Sequence, residues 1–160
     1  MRLGYNDTMK AFDELDGNFY TFKKGSLERN YDRLADDFFE NLNKFNFKKI
    51  YGKDKKKVFD KALENLMYAF DIDESEIYRA SVSNVLIRKK YKRQEELSYN
   101  LIKKIIKTNK LNKAFISKEL ICFIYNEIVL NKKTNRILNK LILLFPDSFL
   151  CAIYLKTIVK

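Results

Sequence analysis

The most regular feature of this chain is an amphipathic pattern over residues 26–45. Apolar side chains recur there every three or four residues, which places them within about 80° of one helix face. The opposite face carries charges of both signs, including Arg29 and Arg33, and is suited to contact with water. We therefore expect a helix that follows Gly25, has Ser26 as its N-cap and buries one face in a core. The six apolar positions are Leu27, Tyr31, Leu34, Phe38, Leu42 and Phe45.

Two further helices are marked by the residues that precede them. Asp54 can cap a helix that runs to about Phe70. The sequence Asp-Glu-Ser-Glu at 73–76 is typical of a capping box, in which the Asp73 side chain accepts a hydrogen bond from the Glu76 N–H and Glu76 reaches back. We expect the helix that follows this box to end near Tyr91.

Shorter apolar patterns predict the remaining helices. They lie near residues 7–15, 95–108, 117–130, 134–145 and 147–159, and Pro146 separates the last two. The Phe-Tyr-Thr-Phe sequence at 19–22 has strand propensity but no evident partner strand, so we expect an extended connector. The predicted class is all-α, as a helical bundle or an irregular array of about six to eight helices.

Length and composition favour one helical domain over residues 1–160. Apolar residues make up 46% of the chain and charged residues 33%, with only 4 Gly and 1 Pro, which excludes collagen-like, low-complexity and disordered classes. A chain of this length buries roughly 68–70% of its unfolded surface, so its core needs neither a disulfide nor a metal ion.

The absence of histidine excludes most familiar catalytic and metal sites. Without it there is no Ser-His-Asp triad, no Cys-His pair and no histidine metal ligand, and two cysteines cannot form a cysteine-only zinc site. Cys122 and Cys151 both lie inside apolar runs, where we expect buried thiols. No glycine-rich phosphate loop is present, and adjacent carboxylates such as Asp36 and Asp37 diverge by about 100° on a helix. We expect no enzymatic activity, no cofactor and no bound metal.

Cysteine usage and hydropathy favour a cytoplasmic location. The chain has 2 cysteines and no apolar segment at its N-terminus, as is usual for proteins without a secretory signal. Residues 137–159 are the most apolar, but polar residues interrupt them, and they fall short of the roughly 20 apolar residues of a spanning helix. We expect no membrane partner, because the apolar helix faces are needed for the core.

Positive charge is unevenly distributed along the chain. Lys and Arg number 32 against 21 Asp and Glu, for a net charge of +11. Residues 1–47 hold 7 basic and 9 acidic side chains, a net of −2, whereas residues 48–160 hold 25 and 12, a net of +13. Lysine outnumbers arginine by 25 to 7, so codon use in an A/T-rich genome is an alternative source of part of this charge.

The clustering of the cations favours binding of nucleic acid through its phosphates. On a helix over 95–108, apolar side chains occupy one half of the surface, and lysines and a tyrosine occupy the other. Lysine and arginine displace counterions from a phosphate backbone, and tyrosine can stack on an unpaired base. We therefore expect a non-catalytic binder of RNA or single-stranded DNA, for example a small ribonucleoprotein subunit. The candidate residues are Lys53, Lys55, Lys56, Lys57, Arg88, Lys89, Lys90, Lys92, Arg93, Tyr99, Lys103, Lys104 and Lys107.

A module that binds another protein is the alternative function. The C-terminal hairpin is so apolar that part of it is expected to exceed what a small core can hide, and an exposed apolar patch would mark a partner site. The candidate residues of this patch are Phe145, Phe149, Tyr154 and Ile158.

Overall fold

The computed structural model describes residues 2–12, 14–45, 54–92, 99–109, 115–130 and 136–159. Within these ranges the chain forms eight helices and one small sheet of three strands, so the prediction of a mostly helical fold with six to eight helices is confirmed. The elements are α1 (Arg2–Ala11), β1 (Leu15–Asp16), β2 (Thr21–Lys23), α2 (Ser26–Asn43), α3 (Lys55–Ala69), β3 (Ile77–Tyr78), α4 (Ala80–Tyr91), α5 (Tyr99–Asn109), α6 (Lys118–Leu130), α7 (Arg136–Leu144) and α8 (Pro146–Ile158).

Helix α8 lies at the centre of the core. All of its residues except Pro146 and Lys156 are buried, and it packs against α6, α3 and α2. A helix with apolar residues on all sides removes them from water only when other helices surround it. Helix α2, which buries one face, and helix α3, which is buried on all sides over residues 62–67, form part of this surrounding layer.

An aromatic cluster joins α2, α3 and α8. The Phe59 ring lies 5.4 Å from that of Tyr31, 5.3 Å from that of Phe38 and 5.0 Å from that of Tyr154, measured between centroids. The two contacts between α2 and α3 are edge-to-face, the geometry in which the positive edge of one ring meets the negative face of another. The apolar stripe predicted for residues 26–45 therefore faces the core through these rings.

The segment at 19–22 is not an unpartnered connector, and that prediction is wrong. Strand β2 is the middle strand of the sheet: it pairs antiparallel with β1, Leu15 opposite Lys23, and parallel with β3, Thr21 opposite Ile77. Strands β1 and β3 have two residues each, and β3 follows α3 in the sequence. Strands this short carry no alternating pattern that a sequence can reveal.

The helix starts follow the predicted caps only in part. Asp54 caps α3 as predicted, and its side chain accepts a hydrogen bond from the Lys57 N–H at 3.1 Å. Helix α2 instead has Gly25 at its N-cap, in the left-handed region at φ 69°, where glycine is favoured because it lacks a Cβ. Ser26 is the first helical residue, and its hydroxyl oxygen accepts a hydrogen bond from the Ala80 N–H at 2.7 Å.

The capping box predicted at 73–76 is wrong. The Asp73 side chain accepts a hydrogen bond from the Ser75 N–H at 2.8 Å, within a turn that leads into β3. Helix α4 begins only at Ala80, and Ser26 of α2 supplies the acceptor for its first N–H. The start of α4 is therefore fixed by a contact between distant segments and not by the local sequence pattern at 73–76.

No single helix in the described ranges is both long and apolar enough to cross a membrane. Helices α7 and α8 meet the length and composition test only as a pair, over Leu138–Leu144 and Pro146–Ile158, and the two are bent by 118°.

Candidate nucleic-acid interface

Helix α5 has one buried and one cationic face. Ile102 is fully buried and Ile106 is half-buried, and the helix packs against α6. Lys103, Lys104 and Lys107 are exposed. The predicted division of this helix into a core face and a lysine face is confirmed for these residues.

The end of α4 carries a second group of exposed cations. Arg88 and Lys89 lie in its last turn and Lys92 at its C-cap, where positive charge interacts favourably with the helix dipole. The Tyr91 ring contacts the Tyr125 ring of α6 edge-on, with centroids 5.1 Å apart. Helices α4 and α5 therefore both contact α6.

Lys90 differs from its neighbours because it closes the end of α3. Its Nζ donates hydrogen bonds to the carbonyl oxygens of Phe70 and Asp71, both at 2.6 Å. Phe70 is the C-cap of α3, and Asp71 has a left-handed φ of 49°, so these carbonyls have no partner further along the helix. The Lys90 ammonium group thus has a structural role that the sequence did not reveal.

The lysines at the start of α3 lie in a mixed electrostatic environment. Lys57 pairs with Asp54 at 3.6 Å, and the Lys55 ammonium lies 5.5 Å from the centre of the Phe39 ring. Lys55 also borders a groove of about 610 Å³ that contains three carboxylates of α2. These carboxylates belong to Asp32, Asp36 and Glu40.

The α3 lysines are also distant from the end of α4. Lys57 and Phe70 are separated by about 20 Å along α3, because a helix rises about 1.5 Å per residue. Lys90 reaches the Phe70 end, so the exposed Lys55, Lys56 and Lys57 lie at the opposite end of the helix. The structure does not gather the two cation groups into one compact site.

The side chains of three candidates lie outside the described part of the structure. Lys53 and Arg93 lie outside the described residues. Tyr99 is the first residue of α5, and its side chain is likewise outside the description.

The predicted protein-interaction patch is wrong. Phe145, Phe149 and Tyr154 are fully buried and Ile158 is 6% exposed. The Phe149 ring, for example, packs against the Phe45 ring, with 5.4 Å between the two centroids. These four side chains are buried because α8 is the central helix and not an outer one, whereas Val129 of α6 and Leu143 of α7 are exposed.

The two cysteines are buried and free, as predicted. Burial raises the pKa of the Cys122 thiol to about 12, and it also raises the pKa of Cys151. Thiols held in their protonated form are poor nucleophiles. Both cysteines therefore act as core residues.

A feature that the sequence did not reveal is a cavity lined by arginines. Arg29 and Arg33 of α2 and Arg79, immediately before α4, line a space of about 260 Å³. Arg29 and Arg33 are exposed, as predicted for the mixed-charge face of α2, and Arg79 is exposed as well. The sequence offers one indication of this grouping, since these are three of only 7 arginines in a lysine-rich chain. No pattern in the residues around Arg79 predicts that it lies beside α2. Ser26, Asn30 and Ser81 complete the lining.

A hydrogen-bonded network lies beneath this cavity. The Asn30 amide donates to the Tyr154 hydroxyl at 2.7 Å, and the Asn84 amide donates to the Asn30 carbonyl oxygen at 2.8 Å. The Tyr154 hydroxyl donates to the Asn84 carbonyl oxygen at 3.2 Å, which closes a ring of three side chains. All three are buried, so the network holds α2, α4 and α8 in fixed positions.

A second cavity, of about 250 Å³, has mainly apolar walls that include the exposed rings of Phe19 and Tyr68. The buried Glu64 lies on its lining, and its two carboxylate oxygens accept hydrogen bonds from the Asn18 and Phe19 N–H groups, both at 2.8 Å. Glu64 therefore holds the loop that precedes β2.

Within the described residues, no group of three or more acidic or cysteine side chains is arranged to hold a metal ion. No protein-family model matches this sequence, and neither a curated protein nor a solved structure shows significant similarity to it.

Proposed function

We propose that this chain is a non-catalytic cytoplasmic protein that binds single-stranded nucleic acid through its phosphate backbone. The observation that carries the proposal is the lysine face of α5, where Lys103, Lys104 and Lys107 are exposed and the opposite face is in the core. Ammonium groups in water bind phosphates by releasing condensed counterions. A small subunit of a ribonucleoprotein is one form that this function can take.

The end of α4 extends the same chemistry. Arg88, Lys89 and Lys92 are exposed on a helix that, like α5, contacts α6. Contacts to phosphate set the position of a protein on a strand but carry no base information. The proposed binding is therefore weakly selective for sequence, with Tyr99 as the candidate for stacking on an unpaired base.

The test compares two variants that lose the same charge. In one, Lys103, Lys104 and Lys107 are replaced by Gln; in the other, Lys55, Lys56 and Lys57 are replaced by Gln. Binding of labelled single-stranded RNA and DNA is followed by fluorescence anisotropy at low salt. We expect the α5 variant to lose about tenfold or more in affinity, because three phosphate contacts disappear.

The α3 variant is the control for net charge. Its lysines lie beside Asp54 and the acidic groove, so we expect its affinity to fall by less than about threefold. Equal losses in the two variants would mean that only total charge matters and would contradict the assignment to α5. Failure of the unmodified protein to bind either strand would remove the proposed function.

A further inference from the structure

We propose that the cavity formed by Arg29, Arg33 and Arg79 binds a phosphate monoester. The proposal is independent of the lysine face, because none of the α5 lysines lines this cavity. The shared chemistry is a terminal phosphate, carried either by a small molecule or by the 5′ end of a nucleic-acid strand.

Three exposed arginines from separate parts of the chain line this cavity. Arg29 and Arg33 are four residues apart on α2, so they project from the same side of that helix. Arg79 comes from the N-cap of α4 and completes the wall. The grouping is thus a product of the tertiary fold.

The cavity contains no balancing charge among the described residues. Its other lining residues, Ser26, Asn30 and Ser81, are neutral, and the ion pairs found in the described part of the chain include none of the three arginines. The three side chains are exposed to solvent and carry like charges around one opening, so an anion bound between them is attracted by all three.

The start of α4 adds to this attraction. The first turn of the helix contains no acidic residue, and Arg79 provides no side-chain acceptor at the N-cap. The positive end of the helix dipole is therefore left without a negative group from its own helix. Ser81 can contribute a hydroxyl donor at the same edge of the cavity.

The site is rigid on its inner side. Asn30 lines the cavity, is only 3% exposed and belongs to the closed network with Asn84 and Tyr154. The Ser26–Ala80 hydrogen bond ties together the two helix starts that bear the arginines. The backbone segments that carry the arginines are therefore held together before a ligand binds, which lowers the ordering cost of binding.

The chemistry of the wall selects the ligand class. The planar guanidinium group presents paired N–H donors that match two oxygens of a phosphate. A phosphate monoester carries a charge of about −1.5 to −2 near neutral pH, more than the single charge of a backbone phosphodiester. The volume of about 260 Å³ is below the roughly 300–1,000 Å³ of drug-sized sites and suits a phosphate with a small attached group.

Calorimetric titration with two kinds of ligand tests the proposal. Inorganic phosphate probes the small-molecule source, and a short RNA with a 5′ phosphate is compared with the same RNA bearing a 5′ hydroxyl. We expect Arg79→Gln to weaken phosphate binding about tenfold or more, because one charge-assisted pair is lost. Lys140→Gln, at an exposed position of α7 outside both proposed binding surfaces, also removes one positive charge and should change the affinity by less than about twofold.

A second variant covers the case in which Arg79→Gln does not fold. Arg29→Lys keeps the positive charge but removes the paired donors, so it should weaken phosphate binding less than Arg29→Gln does. A gain in RNA affinity from the 5′ phosphate that is lost in Arg79→Gln would assign the site to strand ends. Phosphate binding with no effect of the RNA end would assign it to small phosphates.

Two results would overturn the proposal. One is the absence of binding by both inorganic phosphate and the 5′-phosphorylated RNA. The other is an equal loss in Arg79→Gln and Lys140→Gln. The variant lacking Lys103, Lys104 and Lys107 should retain full phosphate affinity, which keeps this test separate from that of the nucleic-acid interface.

Discussion

The hydroxyl oxygen of Ser26 accepts a hydrogen bond from the backbone N–H of Ala80 at 2.7 Å, and both residues are buried. The bond joins the first residue of α2 to the first residue of α4. It supplies the acceptor that α4 lacks in its own sequence and brings Arg79 to the side of α2 that carries Arg29. The starts of two helices are therefore a single structural unit.

Removal of this hydroxyl should destabilise the fold. We expect Ser26→Ala to lower the free energy of unfolding by about 1–2 kcal/mol, because the buried Ala80 N–H loses its acceptor. Urea denaturation measures the change. Ser81→Ala, at an exposed position of α4, should stay within about 0.5 kcal/mol of the unmodified protein. An equally small change in Ser26→Ala would contradict the role given to this bond.

The ring of Asn30, Asn84 and Tyr154 leads to a second prediction. Tyr154→Phe removes one oxygen and leaves the Asn30 amide and the Asn84 carbonyl each without its partner. Because buried polar groups without partners retain their full desolvation penalty, we expect a loss of about 1–3 kcal/mol in thermal or urea unfolding. Tyr68→Phe removes a hydroxyl from a ring that is 60% exposed and should be nearly neutral. Similar effects of the two changes would show that the network does not stabilise the core.

Asp60 gives the fold a dependence on pH. Burial raises the pKa of this carboxyl to about 6; the carboxylates of Glu64, Asp16 and Asp54 act in the same direction, and Lys56 opposes them. One of its oxygens is buried and has no hydrogen-bond partner among the described residues. The folded protein therefore binds this proton more tightly than the unfolded chain, in which the pKa of Asp is about 3.9.

The direction of the effect follows from this difference. The stabilisation from Asp60 is fully present below about pH 4 and is lost as the pH rises through about 6. Asp60→Asn mimics the protonated form, so it should raise the free energy of unfolding near pH 8 and leave it unchanged near about pH 4. Urea denaturation over this range measures the difference. The exposed Asp36→Asn is the control, and a gain in Asp60→Asn that does not vary with pH would contradict the assignment.

Patterns within one helix were predictable from the sequence. The apolar stripe of α2 and the division of α5 into isoleucine and lysine faces depend only on spacing along the chain, and both are present in the structure. The Asp54 cap was predictable for the same reason, since its acceptor and the Lys57 N–H are three residues apart. Local periodicity and local caps are what a single sequence encodes most directly.

Features that join distant segments were not predictable. The two partners of β2 are too short to show alternation, and the cap of α4 comes from α2. The arginine cavity depends on that cap, so no local pattern around Arg79 identifies it. The exposed patch was expected at Phe145 and Phe149 because hydropathy shows only that this segment is apolar. Hydropathy does not show that the other helices surround α8.

The salt dependence of RNA binding tests the central claim most directly. The affinity of the unmodified protein for a single-stranded RNA is measured by fluorescence anisotropy over a series of salt concentrations. We expect the logarithm of the binding constant to fall linearly with the logarithm of salt, with a slope of about −2 or steeper, because each phosphate contact contributes about −0.7 and α5 presents three exposed lysines. No complex at low salt, or an affinity that salt leaves unchanged, would contradict binding through the phosphate backbone.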